Sequence, residues 1–396
     1  MPGDKKIVST YMVMCIAGLF AIFSTTMAKS PVLPLYAAYL GVGTSGIGVI
    51  ASISPIAGIT CSIPAGILAN RYGSKRMLLV ASCVFFTAPL LYLLSPNVVY
   101  LSLVRFYHGL ATAIFIPVAM SVISALHANR KGELLGTFSS ATLTGRFFAP
   151  IVGGTIIGFF ATEQRMGFNA VYALCCLSGL ITMFLIFKLP GDGQNLEPPK
   201  RTDIINMLTE LLTRKAILLA AAVEAAVLFS YGTFETFLPL YFLSKGFTPY
   251  KIGVVLSAQI ISVALTKPLM GRMSDKHGRV NQIIAGLLLC ALCAGSISFV
   301  NSFLSGLIIS ILFGLCISVV TSATSALVAD ISSKEQLSSS MGVFASVMDI
   351  GHTAGPLVSG IVAASIGLNR VFFVSSAVLV AALIMFSANR RRFSVF

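Results

Sequence analysis

The sequence predicts an all-α membrane protein, with twelve transmembrane helices arranged as two pseudo-symmetric six-helix bundles. Three observations predict it. The 396 residues are 56% hydrophobic and 10% charged, with mean hydropathy +0.92, where a soluble domain carries about 25% charged residues. The apolar residues gather into about twelve runs near the ~20 residues that cross a bilayer. The second half also repeats landmarks of the first at an almost constant offset.

The runs in order are 8–37, 46–69, 77–95, 98–126, 134–160 and 168–188, then 216–243, 250–271, 281–300, 302–329, 338–366 and 368–388. Lys5 and Lys6 precede the first run, which is too long for a signal-peptide core and lacks a clear cleavage site, so it reads as a retained helix. Between the sixth and seventh runs lies one long polar stretch, Pro190 to Lys215, rich in proline, glycine and charge. The expected organisation is a first bundle over 1–189, a linker over 190–215 and a second bundle over 216–396.

Of the 27 Lys and Arg, 19 fall on one side of the runs, among them Arg71, Lys75, Arg130, Arg201, Arg279 and Arg391. Only Arg165, Lys245, Lys251 and Arg370 fall on the other. That asymmetry assigns both termini and the linker to the cytoplasm. It also accounts for the net charge of +14 without nucleic acid, because the basic residues sit in short connections between runs. The eight cysteines all lie inside apolar runs. Cys290 and Cys293 have CxxC spacing but no basic neighbour to activate a thiol, so they read as small core residues. Four scattered histidines, no phosphate-binding loop and no catalytic constellation predict no metal, no cofactor, no ATP drive and no enzyme.

The repeat is read residue by residue. Pro34-Leu35-Tyr36 matches Pro239-Leu240-Tyr241; Gly66, Asn70 and Gly73 match Gly271, Asp275 and Gly278; Gly109 matches Gly314, each 205 residues on. The richest stretch is Gly136 to Gly154, GTFSSATLTGRFFAPIVGG. Its Gly136, Gly145, Ala149, Gly153 and Gly154 lay an open groove of backbone along a helix, so another helix can approach closely. Pro150 removes a backbone donor and bends the helix there. The second copy, Gly342 to Gly360, carries Gly351, Gly355 and Pro356, and puts His352 where the first has Arg146.

An ionised side chain at the bilayer centre costs at least ~2.5–3.5 kcal/mol, so each one needs a role. Lys29, Arg105 and Arg146 fall in the first half; Glu224, Glu235 and Asp349 fall in the second, with Lys267 its only buried cation. Arg146 lies ~18 Å into its run, and its fork of donors suits a carboxylate or phosphate. It either faces substrate or pairs with an acid of the other half, Asp349 first. Asp349 is alternatively a proton carrier, and His352, one turn on, titrates near neutral pH or makes an interior hydrogen bond. Glu224 and Glu235 share roughly one helix face and either carry protons or act as static partners. Lys267 reads as a snorkelling residue and His108 as a structural one.

These motifs carry a resemblance. GILANRYGSKR, Gly66 to Arg76, is similar to the loop between the second and third helices of the major facilitator superfamily, and GRMSDKHGR, Gly271 to Arg279, is its second copy. LSLVRFYHG, Leu101 to Gly109, resembles the fourth-helix motif, and Gly136 to Gly154 resembles the fifth-helix antiporter motif, departing at Ala149. The chain resembles the superfamily over essentially its whole length, and most specifically its drug-proton antiporter branch. The resemblance implies two bundles rocking about a central cavity, a proton role for Arg105, export, and a cytoplasmic latch through Asp275 at the start of the fifth helix. Two departures stand out. Asn70 replaces the expected Asp, and no acid lies deep in the first six helices, which moves the expected proton site to the second half. The expected function is a proton-coupled secondary transporter, an antiporter for efflux of a small organic or drug-like molecule. It would work as a monomer among the lipids of the inner or plasma membrane. Arg146 and Lys29 keep transport of an organic anion open beside it, and a non-transporting membrane receptor or scaffold is the alternative of another class.

Overall fold

The computed structural model describes residues 2–95, 97–126, 130–190, 215–332 and 337–393, so the predicted linker lies almost wholly outside the described residues. Among the described residues all regular structure is helical, and twelve spans are long and apolar enough to cross a membrane. The first repeat comprises α1 (Pro2–Lys29), α2 (Val32–Tyr39), α3 (Thr44–Tyr72), α4 (Ser74–Leu93), α5 (Val98–Leu126), α6 (Lys131–Phe159) and α7 (Gln164–Phe187). The second comprises α8 (Lys215–Ser244), α9 (Pro249–His277), α10 (Arg279–Ser296), α11 (Phe303–Ile331), α12 (Leu337–Ile366) and α13 (Val371–Ala388).

One predicted run is two helices. Pro31 has no N–H and biases the residue before it away from helical backbone, so α1 stops at Lys29 and α2 starts at Val32. Thr236 stands at the equivalent place in the second repeat, and α8 runs through it unbroken. At the turns that follow α3 and α9 the repeat holds in backbone. Gly73 between α3 and α4 has φ +94°, and Gly278 between α9 and α10 has φ +87°. A side chain at such a φ is strained, so only glycine turns the chain this tightly without cost.

The chain forms two compact units: Met1–Val42, Ile53–Pro198 and Thr248–Gly253 make one, and Gly43–Ser52, Pro199–Phe247 and Val254–Phe396 the other. In unit 1, α1 packs along α6 and α7, and α4 along α5 and α7. In unit 2, α8 packs along α12 and α13, and α10 along α11 and α13.

Small residues make these approaches possible. A Cβ on Gly145 would collide with the Leu19 carbonyl of α1, and one on Gly153 would press on Met27 and Val32. Gly154 meets the Pro249 carbonyl, and Gly253 meets that of Pro150. Unit 2 repeats the device, with Gly351 and Gly355 against the backbone of Ala225 and Phe229 in α8, and Gly48 against the Pro356 carbonyl. There Ser52 Oγ donates to the Thr353 carbonyl at 2.9 Å. Gly136 is the exception among the predicted packing residues. Nothing lies within 4 Å of where its Cβ would stand, because it falls on the exposed face of α6. Gly271 is equally open.

Candidate functional site

Helix α8 is apolar along its length yet buries two carboxylates, Glu224 at 1% exposure and Glu235 at 7%. Eleven residues of helix separate them by about 16 Å. Glu224 Oε2 accepts a hydrogen bond from Thr324 Oγ1 of α11 at 2.5 Å, and Lys267 of α9 adds electrostatic attraction. Glu235 Oε2 lies 3.7 Å from His352 Nε2 of α12. Gly232, one turn earlier, permits this: a Cβ there would come within 3.0 Å of the His352 ring and carbonyl. Tyr231 covers the imidazole, ring centroids 5.7 Å apart. Asp349 is half-buried one turn before His352, its carbonyl bonded by Thr353 Oγ1. The structure thus joins Glu235 to His352 and gives Glu224 a partner, Thr324, that sequence reasoning missed.

In unit 1, Arg146 sits midway along α6 and is exposed, with no hydrogen bond or ion pair among the described residues. A polar stripe runs along the opposite side of α6, about half a turn round the helix from it. Glu133, Thr137, Ser140 and Thr144 follow one another at helical spacing and are all exposed. Each hydroxyl donates to the carbonyl four residues before it, at 2.9 to 3.0 Å. Acyl chains do not solvate such a face, whereas a water-filled passage does. Sequence reasoning singled out Arg146 and missed the stripe, though its 4-3-4 spacing of polar residues was there to be found. Lys29 is half-buried at the end of α1. Arg105 is at 1% exposure in α5, beside Tyr92 and within electrostatic reach of His108 and Tyr172.

At the cytoplasmic motif, Arg279 Nη1 bonds Asp275 Oδ1 at 2.9 Å, while its Nε bonds Asp330 Oδ2 at the end of α11. Asp275 is therefore engaged within its own motif, and Asp330 is a second partner the motif's spacing does not announce. Gly66 and Asn70 of the first copy fall on α3, but their side-chain surroundings lie outside the described residues. The CxxC thiols are unlinked, and Cys293 Sγ lies 3.8 Å from Cys316 Sγ of α11. Among the described residues no three His, Cys, Asp or Glu gather as metal ligands.

The sequence profile described as Major Facilitator Superfamily matches residues 14–258 and 244–393. A "Multi-drug resistance efflux pump PmrA homolog" of Lactococcus lactis is 26% identical over 394 residues, covering 95% of this chain and 94% of its own. The "Multidrug resistance protein MdtG" of Klebsiella pneumoniae is 26% identical over 385 residues, covering 94% and 90%. Among solved structures, the nucleoside transporter NupG (D323A mutant) superposes with a TM-score of 0.79 at 14% identity, covering 96% of this chain and 99% of that one.

Proposed function

Since the chain belongs to the major facilitator superfamily, and is therefore a multi-pass transporter of the cell membrane and not an enzyme, we propose that it is a proton-coupled exporter of small drug-like molecules. The observation that carries the proton coupling is the pair of carboxylates buried on α8, Glu224 against Thr324 and Glu235 against His352. A carboxylate inside an apolar bundle is held most cheaply as the neutral acid, and becomes an anion when water or a cation reaches it. An acid exposed to each side in turn therefore carries one proton per cycle. For Glu235 the partner is itself titratable, so the proton can pass between carboxyl and imidazole. Export and a drug-like substrate rest on the names of the relatives. Asp349 is the third acid in this proposal, and Arg105 has the motif position that the family links to coupling.

Residues 1–189 and 216–396 are, in the same proposal, the two bundles of alternating access. Residues 190–215 form a cytoplasmic linker, both termini are cytoplasmic, and the transporter works as a monomer. A second reading has its own observation. Arg146, exposed midway along α6, offers a fixed cation to an anionic substrate.

Flux in proteoliposomes under an imposed pH gradient tests both readings. Glu224→Gln and Glu235→Gln are each expected to abolish gradient-driven accumulation of a cationic dye while preserving downhill exchange. If both variants still concentrate the dye as wild type does, the carboxylates do not carry the proton.

A further inference from the structure

The first unit buries a cation in a stretch of sequence that is poor in acids. Residues 1–189 contain only Asp4, Glu133 and Glu163 as acids, each near a helix end. Arg105 is 1% exposed in α5, and among the described residues its Nε and Nη1 have no hydrogen-bond partner. Guanidinium is never deprotonated in a protein, so the charge stays.

Its neighbours repeat the deficit. Among the described residues, both ring nitrogens of His108 and the hydroxyl of Tyr172 are buried without partners, and the Tyr92 hydroxyl has none beyond the Arg105 guanidinium, in side chains at 0% exposure. The four residues converge. The Tyr92 and Tyr172 rings stack with centroids 4.9 Å apart, the Tyr92 and His108 rings meet edge-on at 5.7 Å, and the guanidinium lies beside Tyr92 and acts electrostatically on Tyr172. Arg105 is seven residues into α5 and Tyr172 eight into α7, about 10 and 12 Å along their helices, and Tyr92 stands in the last turn of α4. Tyr36 closes a side, donating its hydroxyl to the Tyr92 carbonyl at 3.1 Å and meeting the Tyr172 ring edge-on at 5.4 Å.

Guanidinium N–H groups, two phenolic O–H groups and an imidazole N–H are all donors that can turn to one point. Water satisfies hydrogen bonds there but leaves the charge uncompensated, and an uncompensated charge in a dry interior is the costlier fault. We propose that unit 1 binds a small inorganic anion of chloride size at Arg105, with His108, Tyr92 and Tyr172 as the remaining ligands. The ion completes the bundle electrically, and its binding does not depend on proton coupling or on what is transported.

Binding of radiolabelled chloride to the purified full-length protein tests this without any flux measurement. Wild type is expected to retain chloride saturably, to release it to bromide but not to gluconate, and to melt at higher temperature in chloride than in gluconate at matched ionic strength. Arg105→Gln is expected to lose both effects. Tyr172→Phe, which keeps the charge and the ring, should weaken chloride about tenfold, the worth of one hydrogen bond to an ion. Should Arg105→Gln not fold, wild type and Tyr172→Phe decide. The proposal is overturned if wild type retains no displaceable chloride, if its melting ignores the anion, or if folded Arg105→Gln binds chloride as wild type does. Release by formate but not by bromide also overturns it, since the site would then be one for carboxylates.

Discussion

Glu224 and Thr324 are 100 residues apart in sequence and joined by one buried hydrogen bond. Thr324→Val keeps the shape and removes the donor, so the protein should lose about 1–3 kcal/mol, the cost of a buried acceptor left unsatisfied. A lower Tm in a thermal melt, restored by Thr324→Ser, is the expected result. Arg146→Ala should weaken an organic anion by about tenfold or more while leaving a cationic dye unchanged, as competition for flux would show. The acids and cations themselves were legible from sequence, because an ionisable group is conspicuous in an apolar run. Their partners were not. Thr324 is one hydroxyl among Ser318, Thr321 and Ser322 on the same helix, and nothing local distinguishes it. His352 reaches Glu235 only because two distant helices pack at Gly232. Arg105 was legible as a cation without a nearby acid, but the two tyrosines around it arrive from other helices.

At the scale of the element, the glycine pattern of α6 and α12 translated directly into helix packing, since close approach depends on missing Cβ atoms at fixed spacing. Gly136 shows the limit. Composition and spacing cannot tell which face of a helix meets a neighbour and which meets water. The contrast makes a clean comparison. Gly145→Ala should destabilise, its Cβ driven into the Leu19 carbonyl, while Gly136→Ala should stabilise by up to about 1 kcal/mol, the helix-propensity gain over glycine. Melting temperatures of the two variants moving in the same direction would contradict this account of α6. The break between α1 and α2 was equally available in sequence, at Pro31, but an uninterrupted apolar run concealed it.

For the whole molecule, the duplication was the most readable feature, because an offset held from Pro34 to Gly314 records shared architecture and not local propensity. The same basic-residue count that sets the topology makes a prediction. A fluorescent protein fused after Phe396 should fold and emit, and a periplasm-dependent phosphatase at the same place should stay inactive; the opposite pair of results would reverse the proposed orientation.

Two sulfur atoms carry that question to motion. Cys293 and Cys316 face one another across α10 and α11 inside a single unit. A mild oxidant acting on a variant stripped of the other six thiols would weld those helices together. If the transporter cycles by swinging a stiff unit as one piece, the weld costs it nothing and turnover persists. If the helices must slide past each other, turnover halts until a reductant cuts the tie.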